Sequence, residues 1–192
     1  MIVLVRHGAT EWSAARRHTG RTDIPLTEEG RAEAAALAPL LAGLHPDRVL
    51  SSPLSRARQT CELAGFGPRA ELDDRLLEWD YGEAEGRTTA EIRETDPGWS
   101  VWTHPIAGAE PLSSVAARVD SLLAELRPFG GEGTVLAFAH AHLLRILAAR
   151  WCGLDAAAGQ NLVLDPASVS VLGFEREAPC IERWNVVPSP FG

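Results

Sequence analysis

Cysteine is scarce: Cys61, Cys152 and Cys180 are the only three, and no two are closely spaced. That excludes a disulfide frame and predicts reduced thiols in a cytoplasmic protein. No apolar run approaches the roughly 20 residues that a membrane span needs, so no membrane partner is expected. The opening Met1-Ile2-Val3-Leu4-Val5 is too short for a signal peptide and lacks a basic flank. Positive charge is in deficit, with 18 basic against 26 acidic residues and a net charge of −8. No basic tract stands out, which argues against nucleic acid as a partner. An acidic chain that binds an anion must do so in a local basic pocket. P-loop, zinc-ligand spacing and Gly-x-Ser-x-Gly elbow are all missing, as are repeats and low-complexity tracts.

What is present fits one domain of 192 residues, with 45% hydrophobic and 23% charged residues. A sizeable core needs no metal or disulfide at that length. Short apolar, β-branched runs predict strands at 2–5, 48–51, 70–72, 134–139 and 168–174, with 181–187 as a candidate edge strand. Thr27 reads as the N-cap of a helix with Ala34, Leu37, Leu41 and Leu44 on one face. Pro39 predicts a kink or early end there. Residues 114–126 and 142–151 carry apolar side chains at helical spacing. The alternation predicts an α/β, three-layer sandwich: a mostly parallel sheet with helices on both faces. Residues 82–111 are polar and irregular and read as a small inserted helix-and-loop segment over the active site. Trp99 and Trp102 read as its local core, and His18 and His104 as exposed loop histidines.

Chemistry concentrates where the strands end. Arg6-His7-Gly8 closes the first strand, at the position where open α/β folds place ligands. Arginine pairs with phosphate bidentately, glycine admits close backbone approach, and imidazole can attack phosphorus and carry a phosphoryl group. After the second strand comes Ser52-Pro53, then Arg56 in the first turn of a helix whose N–H groups also favour anions. Arg58 faces elsewhere. His140 ends an apolar strand as His7 does, so neighbouring strands would bring both rings to one crevice. Glu78 and Asp80 are both candidate proton donors, and charge alone does not choose between them. A nucleophile, cations and a proton donor are what phosphoryl transfer requires.

The chain resembles the histidine phosphatase superfamily, which includes cofactor-dependent phosphoglycerate mutases, over nearly its whole length. Arg6-His7-Gly8-Ala9-Thr10-Glu11, Thr19-Gly20, Asp23-Ile24-Pro25-Leu26-Thr27 and Gly30 carry the likeness. Ser52-Pro53, Arg56-Ala57-Arg58-Gln59-Thr60, Glu78 with Tyr81-Gly82, Glu85-Gly86, and His140 complete it. The resemblance implies a phosphoglycerate mutase-like fold, His7 as the phosphorylated nucleophile, Arg6, Arg56 and His140 around the phosphoryl group, and Glu78 as proton donor. It points most closely to the acid phosphatase and sedoheptulose-1,7-bisphosphatase branch. That branch implies Thr10, Ser13, Thr19, Gly20, His142 and Arg145 as substrate contacts, with surface exposure as the alternative for Arg145. Ser13 stands where Asn is common, Ala141 where Gly is usual, and Pro111 where Ser is usual after Glu110.

The implied function is a metal-independent, cofactor-free phosphatase acting on small phosphorylated metabolites through a phosphohistidine. The Gly8 carbonyl is a candidate acceptor for the second nitrogen of His7. A mutase is the alternative, against which the Trp79-Asp80 pair and the short inserted segment lean. A catalytically silent phospho-ligand module is the third reading, and it sits poorly with an intact His7, His140 and Glu78. A homodimer is the assembly that the resemblance implies.

Overall fold

A computed structural model describes residues 1–129 and 133–188. Six strands form one sheet in the order β3-β2-β4-β1-β5-β6. They are β1 (Ile2–Arg6), β2 (Arg48–Ser51), β3 (Ala70–Leu72), β4 (Val135–Ala139), β5 (Val169–Glu175) and β6 (Ala178–Val186). β3, β2, β4 and β1 run parallel, and the β5–β6 hairpin adds antiparallel to β1. Every predicted strand is present within two or three residues of its expected bounds, with β6 at the edge.

Strand periodicity of two divides the core into two layers. Ile2, Leu4, Leu50, Val135 and Ala137 face α5 (Leu112–Leu126) and α6 (Ala141–Trp151). Val3, Val5, Val49, Leu136 and Phe138 face α2 (Glu28–Leu41) and α3 (Ser55–Leu63). Every residue of β4 is buried, as expected for a strand covered on both faces. Two shorter helices, α1 (Glu11–Ala14) and α4 (Thr89–Arg93), lie in the connections. Among the described residues no helix is long and apolar enough to cross a membrane.

The Thr27 hydroxyl caps α2 by accepting the Gly30 N–H at 3.0 Å. Pro39 does not end this helix, which runs on to Leu41. The carbonyl that Pro39 leaves without a helical donor is that of Ala35, on the exposed face where water reaches it, while Leu41 still buries against β1. Leu44 lies past the helix end and packs against the same cluster. The 82–111 segment consists of a 3₁₀ turn (Gly82–Ala84), α4 and irregular chain. Trp99 is buried with Tyr81, Ile92 and Val101 in the α5–α6 layer, and Trp102 packs on its edge.

Gly8 and Gly30 let the loop after β1 press directly on the start of α2. A Cβ on Gly30 would sit 2.0 Å from the Ala9 carbonyl oxygen, a backbone atom that cannot swing away. Gly30→Ala is therefore expected to lower stability by about 1–3 kcal/mol. Urea unfolding monitored by circular dichroism measures this, and an unchanged midpoint would refute the close packing.

Candidate active site

β1 and β4 are neighbours in the sheet, with Arg6 opposite Ala139. Their carboxyl ends therefore deliver His7 and His140 to one place, with ring centroids 5.2 Å apart. β2 adjoins β4 on its other side, and the Ser52 N–H donates to the Phe138 carbonyl at 2.9 Å. Three strand ends thus converge on one crevice.

His7 is buried, and its Nδ1 lies 2.7 Å from the Gly8 carbonyl oxygen. A carbonyl only accepts, so Nδ1 carries the hydrogen and Nε2 keeps its lone pair. Burial, with the Arg56 and Arg6 charges beside it, holds the His7 pKa well below the ordinary histidine value. The ring is thereby fixed as a neutral base in one tautomer.

Arg6 lines the same cavity, which has a volume of about 180 Å³. One of its terminal N–H groups donates to the Leu164 carbonyl. Its Nε is the one buried side-chain nitrogen or oxygen among the described residues with no hydrogen-bond partner. Burial lowers the Arg6 pKa, so its cation sits in a site that disfavours charge without an anion. An unpaired guanidinium N–H beside a neutral nucleophile is the arrangement that receives an oxyanion.

Arg56 and His140 are both fully buried and present no atom to the cavity. Arg56 projects from the first turn of α3, as its position predicted, while Arg58 is exposed. Its Nε donates to His140 Nδ1 at 3.2 Å, and its remaining donors reach the Thr19, Gly20 and Thr22 carbonyls. With Nδ1 accepting, His140 carries its hydrogen on Nε2, 2.7 Å from Ser52 Oγ. Burial and Arg56 lower its pKa also. Glu85 holds the loop that surrounds Arg56 by accepting the Gly20 and Thr22 N–H groups.

Glu78 and Asp80 are held differently, and neither lines the cavity. Glu78 is buried and takes N–H bonds from Trp79, His142 and Leu143 at 3.0, 3.1 and 2.9 Å. Two of those groups belong to the first turn of α6, where backbone N–H groups have no partner within the helix. Asp80 instead accepts the Gly82 N–H in its own turn. Arg118 grips the chain around Glu78, donating to the Arg75, Leu77 and Glu78 carbonyls while pairing with Glu110 at 2.8 Å.

The outer candidates divide. Thr19 and His142 line the cavity, and His142 Nδ1 shares a hydrogen bond with the Tyr81 hydroxyl. Burial raises the Tyr81 pKa well above its usual range, which keeps that hydroxyl protonated. Gly20 contributes its carbonyl to Arg56 rather than a surface to the cavity. Thr10 is wholly buried and, with Ser13, forms the capping box of α1. The Ser13 hydroxyl bonds to the Thr10 backbone, although Ser13 also borders the cavity. Arg145 lies outside the lining. It covers the Trp102 ring at 4.8 Å and donates to the Gly159 and Gln160 carbonyls. Ala141 lines the cavity, and Pro111 is the N-cap of α5.

His18 departs from its expected exposure. It packs 5.2 Å from both Tyr81 and Trp99, forms part of the cavity wall, and has its pKa lowered by burial. His104 is half-buried and accepts the Ser100 N–H. Sequence reasoning passed over Arg118, whose helical position gave no signal of its role, and Arg16 and Arg17 at the cavity rim.

Because His7 and His140 are buried neutral, the unfolded chain binds protons first as pH falls. Stability is present above the ordinary histidine pKa of 6.5 and is lost below it. Each ring contributes up to about 1.4 kcal/mol per pH unit in that window. Urea midpoints measured between neutral and mildly acidic pH are expected to fall, and a flat profile would contradict two neutral rings.

A profile described as histidine phosphatase superfamily (branch 1) matches residues 2–187. An acid phosphatase of Mycobacterium tuberculosis is 40% identical over 176 residues, 91% of this chain and 86% of that protein. Sedoheptulose 1,7-bisphosphatase of Saccharomyces cerevisiae is 34% identical over 79% of this chain and 67% of that enzyme. The solved structure of a Mycobacterium tuberculosis open reading frame superposes with TM-score 0.92 at 36% identity, covering 98% of both chains.

Proposed function

Because the chain belongs to the histidine phosphatase superfamily, branch 1, we propose that it hydrolyses phosphate monoesters of small metabolites, sugar phosphates or bisphosphates among them, through a phosphohistidine on His7. One observation carries the reading. A neutral His7 with Nε2 unprotonated shares a cavity with Arg6, whose buried Nε has no partner. The names of the relatives support it, since an acid phosphatase and a sugar bisphosphatase both cleave phosphate esters.

In the first step His7 Nε2 attacks phosphorus in line, and a P–N bond forms as the ester P–O bond breaks. Glu78 gives its proton to the departing alkoxide oxygen. Arg6 binds the phosphoryl oxygens directly, and the charge of Arg56 behind the cavity wall, held against the neutral His140, adds to the positive field around them. In the second step Glu78 as a carboxylate takes a proton from water. That water attacks phosphorus, the P–N bond breaks, and inorganic phosphate leaves a neutral His7. The scheme calls on neither metal nor cofactor. Thr19 and His142 contact the rest of the substrate. A cytoplasmic setting fits the free thiols Cys61, Cys152 and Cys180.

The test is phosphate release from a panel of sugar phosphates, sugar bisphosphates, phosphoglycerates and p-nitrophenyl phosphate, in EDTA. Release from at least one class, undiminished by the chelator, is expected. Phosphoglycerate interconversion dependent on a bisphosphate primer, without net release, would replace this reading by a mutase.

A further inference from the structure

The cavity has a rim that the reaction scheme leaves unused. Arg6 and His7 form its inner end, and the exposed Arg16, with Arg17 beside it, borders its mouth. Three arginines line it and, among the described residues, no carboxylate does. Arg17 is engaged, donating to the Gly86 carbonyl at 2.6 Å and to Glu91 at 3.4 Å. The Arg16 guanidinium has no hydrogen bond or ion pair to any described residue. Other exposed arginines, Arg31, Arg58 and Arg176 among them, also lack a partner among the described residues, but Arg16 is the one of these at the cavity, and that placement is the exception.

The backbone makes the exception sharper. Helix α1 ends in a Schellman turn: the Arg16 N–H bonds the Ser13 carbonyl at 3.1 Å, and the Arg17 N–H bonds the Trp12 carbonyl at 2.8 Å. That turn requires a left-handed residue, and Arg16 adopts it with φ 54°. Glycine is the ordinary occupant, because a side chain there meets a steric penalty. Position 16 therefore keeps a long cationic side chain where local structure favours none. Of the four non-glycine residues with positive φ among the described residues, Arg16, Ala167, Arg176 and Asn185, Arg16 alone lines this cavity.

Resting on the phosphatase reading of the inner site, we infer that Arg16 recognises a second anionic group of the substrate, so that the preferred substrates are phosphate esters bearing another phosphate or a carboxylate. A net charge of −8 repels a doubly anionic ligand from the protein at large, and a cation at the mouth reverses that locally. His18 on the wall stays neutral through burial and does not compete as a cation.

Binding tests this without turnover. Calorimetry compares propane-1,3-bisphosphonate, 3-phosphonopropanoate and propylphosphonate, none of which has a hydrolysable ester. Wild type is expected to bind at least one of the doubly anionic ligands about tenfold more tightly than propylphosphonate. Which of the two it favours identifies the second anion as phosphate or carboxylate. Arg16→Gly is expected to abolish that preference while leaving or raising the melting temperature, since glycine suits φ 54°. Arg176→Gly is the matched control. Arg176 is also exposed and left-handed, with φ 56°, but it lies in the β5–β6 turn away from the cavity. It removes the same charge and is expected to keep the preference.

Equal loss in both variants would reduce the effect to net charge and overturn the inference. So would a wild type that binds all three ligands alike, or an Arg16→Gly protein that keeps its preference. If phosphate esters are not hydrolysed but the Arg16-dependent preference persists, the phosphatase reading fails and the second-anion site stands. If esters are hydrolysed without that preference, the reverse holds.

Discussion

His7→Ala is expected to reduce phosphate release to the assay background, a loss of at least about 10⁴-fold. Phosphate monoesters are among the slowest compounds to hydrolyse unaided, so an enzyme acting on them must remove a very large barrier. A scheme that routes both steps through one nitrogen has no substitute for it. Binding and the arginine field survive the substitution, but they act on a substrate with nothing to attack it. The fold is expected to survive as well. The ring's one hydrogen bond is to the adjacent Gly8 carbonyl, and its ring neighbour His140 is anchored independently by Arg56 and Ser52. Circular dichroism and an unfolding free energy from urea titration within about 3 kcal/mol of wild type would separate lost chemistry from lost structure. A direct readout accompanies the rate: rapid quenching into base during turnover should trap one phosphoryl group on wild type and none on the variant. Near-normal hydrolysis by His7→Ala would end the phosphohistidine proposal.

Features whose cause is local were legible in the sequence. The strand Ile2–Arg6 follows from β-branched residues, and the start of α2 from the Thr27 hydroxyl three residues before Gly30. The convergence of His7 and His140 needed one topological fact, that β1 and β4 adjoin, which parallel α/β architecture makes probable but does not fix. The tie between Glu78 and Asp80 could not be broken locally by chemistry. The family resemblance chooses Glu78; what the structure adds is that the first N–H groups of α6, some 60 residues on, anchor the Glu78 carboxylate and not that of Asp80. Pro39 leaves α2 two further residues, to Leu41, and the helix stops short of Leu44; how far it runs on depends on which face the freed carbonyl occupies, and that is a tertiary property. Arg118 looked like any helix-surface arginine, since the three carbonyls it holds lie about 40 residues earlier in the chain. His18 looked exposed because its partners Tyr81 and Trp99 come from the irregular segment, where periodicity gives no guide. Thr10 and Ser13 occupy positions where the resemblance implied substrate contacts, yet their hydroxyls close the capping box of α1.

Glu78→Gln is expected to lower kcat/KM for an alkyl phosphate by about 10²–10⁴-fold, the usual worth of a positioned proton donor. Glutamine is the informative replacement. Its amide oxygen can take over Glu78 Oε1 and keep the Trp79 and Leu143 N–H bonds, leaving the bond from His142 unmade. Alanine would strand all three donors in a buried site, at roughly 1–3 kcal/mol each, and confuse stability with chemistry. The leaving group then distinguishes a proton donor from a structural brace. An alkoxide departs from phosphorus only with a proton, whereas p-nitrophenolate departs without one. Since kcat/KM reports events through the first irreversible step, the p-nitrophenyl ester should be almost unaffected there. Its steady turnover should still slow, because activation of water against the phosphohistidine also passes through Glu78. The variant should therefore release one equivalent of nitrophenol in a burst and then stall. Equal loss of kcat/KM for both esters, with no burst, would assign Glu78 to holding the first turn of α6 and leave the proton donor to be sought among other residues.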